Sequence, residues 1–145
     1  MKIPKTKTQA EEFKSASENE TFELAKRLAE SFQGQEVVFL TGELGAGKTV
    51  FAKGIASGLG LEDVNQVCSP SFMLVNIYQA KYPIYHIDLY RLRKNSEIED
   101  LGWEDYLDRG VIIVEWAEKL KMDVEAIRIS IEVLNDETRK ITIEH

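Results

Sequence analysis

The chain has almost nothing with which to hold itself together covalently: one cysteine, Cys68, in 145 residues. A lone thiol makes neither an internal disulfide nor a zinc cluster, which fits a reducing, cytoplasmic compartment. Cys68 itself reads as a small, semi-buried filler. Positive charge is also scarce. Lys and Arg number 18 against 25 Asp and Glu, a formal net charge of −7, and this excludes a broad electrostatic grip on DNA or RNA, because affinity of that kind comes from cations set against phosphates. If nucleic acid matters to this protein, a partner holds it. No apolar run approaches the ~20 residues that a membrane span needs. The start, Met1 to Gln9, is rich in Lys and Thr and has neither the apolar stretch nor the small-residue cleavage site of a secretory signal.

What is present suits one soluble globular domain over 1–145, with a loose tail over about 1–10. The hydrophobic fraction is 43%, and a chain of this length buries roughly 68 to 70% of the surface its unfolded form exposes. Ser17-Glu18-Asn19-Glu20 has the Ser-x-x-Glu form of a helix start. Phe22, Ala25, Leu28, Ala29 and Phe32 then recur at helical spacing, with Gly34 as the expected stop. Glu36 to Thr41 contains Val37-Val38-Phe39-Leu40, a run that suits a strand buried on both faces. A Gly-rich turn follows, and from Lys48 to Gly60 the residues Phe51, Ala52, Ile55, Ala56 and Leu59 mark one helical face.

Phe72 to Tyr78 and Ile84 to Tyr90 read as paired strands around a short turn, with Pro83 at the second strand's entry. Ser96-Glu97-Ile98-Glu99 repeats the helix-start pattern ahead of Leu101, Trp103, Tyr106 and Leu107, with a break expected at Gly102. Val111 to Val114 is a second buried strand, ending in Glu115-Trp116. Ile129, Ile131 and Val133, then Ile141 and Ile143, alternate with polar residues around an Asn135-Asp136-Glu137 turn, a half-buried hairpin. Together these predict an α/β fold: a mixed, mostly parallel sheet flanked by helices, with a C-terminal hairpin.

Gly42-Glu43-Leu44-Gly45-Ala46-Gly47-Lys48-Thr49 matches G-x-x-x-x-G-K-[ST] at every fixed position and lies between a readable strand and a readable helix. Glycines let successive N–H groups converge on phosphate oxygens, the helix start adds its positive end, the lysine reaches the outer phosphates, and the threonine hydroxyl serves Mg²⁺. Binding of a nucleoside triphosphate is the chemistry this loop predicts. Hydrolysis also needs a carboxylate at the C-terminal end of a neighbouring strand. Asp88, which interrupts the apolar strand His86-Ile87-Asp88-Leu89-Tyr90, and Glu115, after four β-branched residues, are the two candidates.

None of the five asparagines is followed by Lys and there is no Asp-x-x-Gly, so a Ras-like GTPase is disfavoured. A small-molecule kinase stays open, since Arg91 and Arg93 could clamp a second substrate's phosphate. His86 reads as a structural histidine, because nothing in the sequence supplies it with a partner.

Taken in order, the phosphate loop at 42–49, Ser69-Pro70-Ser71-Phe72, His86-Ile87-Asp88-Leu89-Tyr90-Arg91 and Glu115-Trp116 resemble the bacterial TsaE family (formerly YjeE), over roughly Ser15 to Ile143. The resemblance implies a compact P-loop ATPase that takes ATP with Mg²⁺ and serves threonylcarbamoyladenosine (t6A) modification of tRNA. It also implies two partner proteins, TsaD and TsaB, with tRNA reached only through them. By the same resemblance Gly42, Glu43, Leu44, Gly45, Ala46, Gly47 and Lys48 hold the phosphates and Thr49 and Glu115 bind Mg²⁺. Asp88 is the acid needed for hydrolysis and a second metal candidate, with Lys48 its catalytic companion. Trp116 lies near the nucleotide, and Glu18 approaches the adenine side. Ser71 stands where the family more often has Thr, keeping the hydroxyl without the methyl that limits its rotamer.

Overall fold

The run Val37 to Leu40 forms the middle of a seven-stranded sheet in the computed structural model, which describes residues 10–43, 45–68, 75–89, 102–117 and 124–145. In chain order the elements are β1 (Ala10–Ser15), α1 (Glu18–Ala29), β2 (Val37–Gly42), α2 (Lys48–Gly58), β3 (Val75–Gln79), β4 (Pro83–Asp88), β5 (Val111–Glu115), β6 (Ile127–Val133) and β7 (Arg139–Glu144). Short 3₁₀ turns occupy Val64–Gln66 and Trp103–Tyr106. Across the sheet the order is β1-β7-β6-β2-β5-β4-β3. The pairings of β2 with β5, β2 with β6 and β4 with β5 are parallel. Those of β1 with β7, β6 with β7 and β3 with β4 are antiparallel. The sheet is mixed as expected, with its parallel part at the centre; the two hairpins contribute one antiparallel pairing each and β1 adds a third against β7, which makes the six pairings three of each kind.

Alternate residues of a strand face opposite sides of the sheet, so a continuous apolar run needs cover on both. On one side Val38, Leu40, Ile113 and Ile129 pack with Phe51 and Ile55 of α2 and with Ala25 and Ala29 of α1. On the other, Val37, Phe39, Ile112 and Val114 pack with Trp103, Tyr106, Leu107 and Val124. Among the described residues both α-helices therefore lie on the first side, and the second is covered by the 3₁₀ turn and irregular chain.

Ser17 caps α1: its Oγ accepts from Glu20 N at 3.1 Å, and the Glu20 carboxylate reaches back to Ala16 N. The helix ends at Ala29, earlier than its apolar pattern suggests. Gly34 is not its stop but a residue of the following loop, at φ +104 beneath the Tyr82 ring, where an added Cβ would lie 2.6 Å from Tyr82 Cδ1. That loop is tied by Glu36, whose carboxylate accepts from the N–H groups of Gln33, Gly34 and Gln35. β1 was not legible in the sequence; Ala10, assigned to the tail, already pairs with Glu144. Leu44, the segment 69–74, the strand end at Tyr90, Arg91, Arg93 and the 96–99 helix signal lie outside the described residues. Among the described residues no helix is long and apolar enough to cross a membrane.

Candidate functional site

β2 ends at Gly42 and α2 begins at Lys48, so the Gly-rich loop leaves the C-terminal end of the central strand and enters a helix directly. Gly42 must be glycine: φ is +151, and a Cβ would sit 2.7 Å from the Ile131 carbonyl oxygen. Gly47 is the N-cap of α2 at φ +112 and offers no side-chain cap, which leaves first-turn N–H groups for an anion. Lys48 is buried, its Nζ donating to Gly42 O at 2.6 Å and Glu43 O at 3.0 Å and lying 3.8 Å from the centroid of the Trp116 ring. Trp116 adopts φ +61 immediately after β5, an uncommon backbone state for a bulky residue that turns its ring back over the lysine.

The parallel register of β4 and β5 sets Asp88 opposite Glu115, and that of β2 and β5 sets Leu40 opposite Glu115. Both acids thus stand at the C-terminal strand ends beside the loop, where open α/β sheets form their ligand crevice. Glu115 is only 2% exposed. Its Oε1 accepts from Thr49 Oγ1 at 3.4 Å and its Oε2 lies 2.5 Å from His86 Nε2. His86 Nδ1 is in turn 3.2 Å from the Tyr78 hydroxyl, which contacts the Cys68 backbone. Burial pushes the Tyr78 phenol above its ordinary pKa, with the hydrogen bonds it receives from Asn76 and from the Cys68 N–H acting in the opposite direction.

A hydroxyl and two carboxylates are hard oxygen donors of the kind Mg²⁺ takes, and Thr49 already touches Glu115. Among the described residues no three His, Cys, Asp or Glu side chains form a cage that could hold a metal alone.

On the α1 side of the loop lies a cavity of about 270 Å³, lined by Ser17, Glu18, Thr21, Gly45, Gly47 and Arg139 among others. The structure therefore brings Glu18 and the loop to one depression, and Lys48, Thr49, Asp88, Glu115 and Trp116 to the adjoining strand ends. Three participants escaped the sequence. Arg139 ties the loop to the β6–β7 turn, with Nε donating to Ala46 O at 2.9 Å and Nη1 to Asn135 O at 2.8 Å. Tyr78 and Asn76 surround the Cys68 backbone. An arginine opening a strand and polar residues alternating in another carry no local signal of this. Cys68 is exposed, not the semi-buried filler its residue type suggested.

The family model for "Threonylcarbamoyl adenosine biosynthesis protein TsaE" matches residues 15–141. A protein of Rickettsia felis named tRNA threonylcarbamoyladenosine biosynthesis protein TsaE is 40% identical over 130 residues, covering 88% of this chain and 75% of its own. Proteins of the same name from Aquifex aeolicus and Bacillus subtilis are 39% identical over 128 residues (88% and 90% covered) and 38% identical over 134 residues (90% and 82% covered). The crystal structure of YdiB from Bacillus subtilis superposes with a TM-score of 0.73 at 30% identity, covering 95% of this chain and 86% of that one.

Proposed function

Because the chain belongs to the TsaE family of threonylcarbamoyl adenosine biosynthesis proteins, we propose that it is a Mg²⁺-dependent ATPase that cycles a complex of TsaD and TsaB during t6A modification of tRNA. The observation that carries this reading is the meeting of Thr49 with Glu115, 3.4 Å apart, next to a phosphate loop whose lysine is buried beneath Trp116. In this reading the loop from Gly42 to Lys48 binds the phosphates of ATP through its backbone N–H groups and the Lys48 ammonium. Thr49 and Glu115 hold Mg²⁺, with Asp88 in reach of the same ion. Mg²⁺ when bound supplies charge neutralisation on the phosphates. Asp88 orients the attacking water, Trp116 shields the phosphate end from bulk solvent, and the cavity beside Glu18 receives the base.

P-loop proteins that lack a completed arginine finger turn over slowly, on the order of 10⁻⁴ to 10⁻² per second, so the isolated chain is expected to be slow and its partners to accelerate it. The test is release of phosphate from ATP by the purified protein, with Mg²⁺ or with EDTA, and with or without TsaD and TsaB. Lys48→Ala should abolish most binding and turnover; wild-type ATP affinity and turnover in that variant would show the loop assignment to be wrong. Phosphate found on an added acceptor instead of in water would establish the kinase alternative.

A further inference from the structure

The nucleotide reading leaves His86 without a task, yet it is the only histidine inside the fold among the described residues and is 0% exposed. β4 alternates, so Ile84, His86 and Asp88 share the face that looks toward α2, and the antiparallel register with β3 sets Asn76 opposite His86. A buried imidazole must place both ring nitrogens. Nε2 faces Glu115 Oε2 at 2.5 Å and Nδ1 faces the Tyr78 hydroxyl at 3.2 Å.

With the ring neutral, Nε2–H donates to the carboxylate and Nδ1 accepts from Tyr78 O–H. The Tyr78 oxygen then accepts from Cys68 N and from Asn76 Nδ2, each at 3.4 Å, while Asn76 Nδ2 also donates to Cys68 O at 3.2 Å. Each ring nitrogen and the phenol are satisfied in this arrangement, and its geometry is set by three strands. Its consequence is on Glu115. One carboxylate oxygen is taken by His86 and the other is the one that meets Thr49.

We propose that His86 is a positioning residue for the metal site, which by holding Oε2 of Glu115 turns Oε1 toward Thr49, with Tyr78 as the brace that orients its ring. The inference rests on the reading that Thr49 and Glu115 hold the metal. Partners of this kind fix the rotamer and basicity of a ligating group, and their loss typically costs about 10- to 100-fold in metal affinity or activity.

The experiment titrates Mn²⁺ into the protein saturated with ADP and reads protein-bound Mn²⁺ by electron paramagnetic resonance, with ADP affinity in EDTA measured alongside by calorimetry. His86→Leu should weaken Mn²⁺ by about 10- to 100-fold and leave metal-free ADP affinity unchanged. His86→Gln, which keeps an N–H donor near the Nε2 position, should recover most of the loss. Wild-type Mn²⁺ affinity in His86→Leu, or no recovery in His86→Gln, overturns the inference. Should His86→Leu fail to fold, Tyr78→Phe, which removes one oxygen, decides: a weaker Mn²⁺ site with unchanged ADP affinity supports the brace, and an unaltered site overturns it. A wild-type protein that binds ADP but no Mn²⁺, or neither, would instead overturn the reading of the site itself, and this inference with it.

Discussion

Lys48 under the Trp116 ring is the contact that a solution measurement reads most directly. The ammonium lies 3.8 Å from the ring centroid, so an anion that draws the lysine outward must change the indole's surroundings. Binding of ADP or ATP is expected to shift Trp116 fluorescence. Trp103, sealed on the far side of the sheet at 1% exposure and edge-on to Phe39 at 6.3 Å, should stay silent. Single-tryptophan variants separate the two, and a response carried wholly by Trp103 would refute the placement of Trp116. The acids belong to the same scale. Glu115→Ala and Asp88→Asn should each lower kcat by roughly 10²-fold while changing ATP affinity much less, because the loop backbone makes most ground-state contacts and the acids act where charge develops. Steady-state kinetics beside equilibrium titration checks this, and full Mg²⁺-dependent turnover would reassign either acid to a structural role.

At the scale of elements, the site depends on how closely α1 and α2 approach. Gly54 and Gly58 lie one turn apart on α2, and a Cβ on either would sit 2.4 Å from a carbonyl oxygen of α1, that of Phe22 or that of Lys26. Ala25 and Ala29 complete the seam. This packing carries the α1 N-terminus, with Ser17 and Glu18, to the edge of the phosphate loop. Gly54→Ala sets two effects against each other: a better helix former, worth about 1 kcal/mol, and overpacking, which costs about 1–3 kcal/mol. The obstacle is backbone and not a flexible side chain, so the second should win. A melting temperature several degrees lower is expected, with weaker ADP binding as the α1 edge of the cavity shifts; thermal denaturation at or above the wild-type midpoint would contradict the seam.

For the whole molecule, a formal net charge of −7 and the slow turnover expected of the proposed ATPase make partners central to the proposed role. If ATP favours one state of the TsaD and TsaB complex and ADP another, hydrolysis resets the cycle, and this requires that the two nucleotide forms bind the partners with different affinity. Asp88→Asn should then support about one round of t6A formation in a reconstituted mixture with tRNA and fail at multiple turnover. Repeated cycles at the wild-type rate would remove hydrolysis from the reset step while leaving nucleotide binding intact.

The Gly-rich loop between a strand and a helix, the strands at 37–42 and 111–115, the C-terminal hairpin and the strand-end placement of the two candidate acids were legible in the sequence, because each is written in neighbouring residues: a fixed glycine spacing, an apolar run, an alternation, an acid after a strand. Local patterns are weaker at boundaries, which is why α1 stops at Ala29 while its apolar periodicity runs on to Phe32. They are silent on an edge strand such as β1, whose Glu11 and Glu12 are exposed and whose inward face carries only the partly buried Phe13 and the buried but polar Ser15. Which side chains meet across the fold was decided only by tertiary structure. Period-two alternation says that His86 and Asp88 share a face, but the partner of His86 depends on β4 lying beside β5 in a particular register, which brings Glu115 to it across 29 positions of chain. The same holds for Arg139 and Ala46, 93 positions apart. Register is set by the packing of the whole sheet against its helices, a collective property that no short window of residues contains.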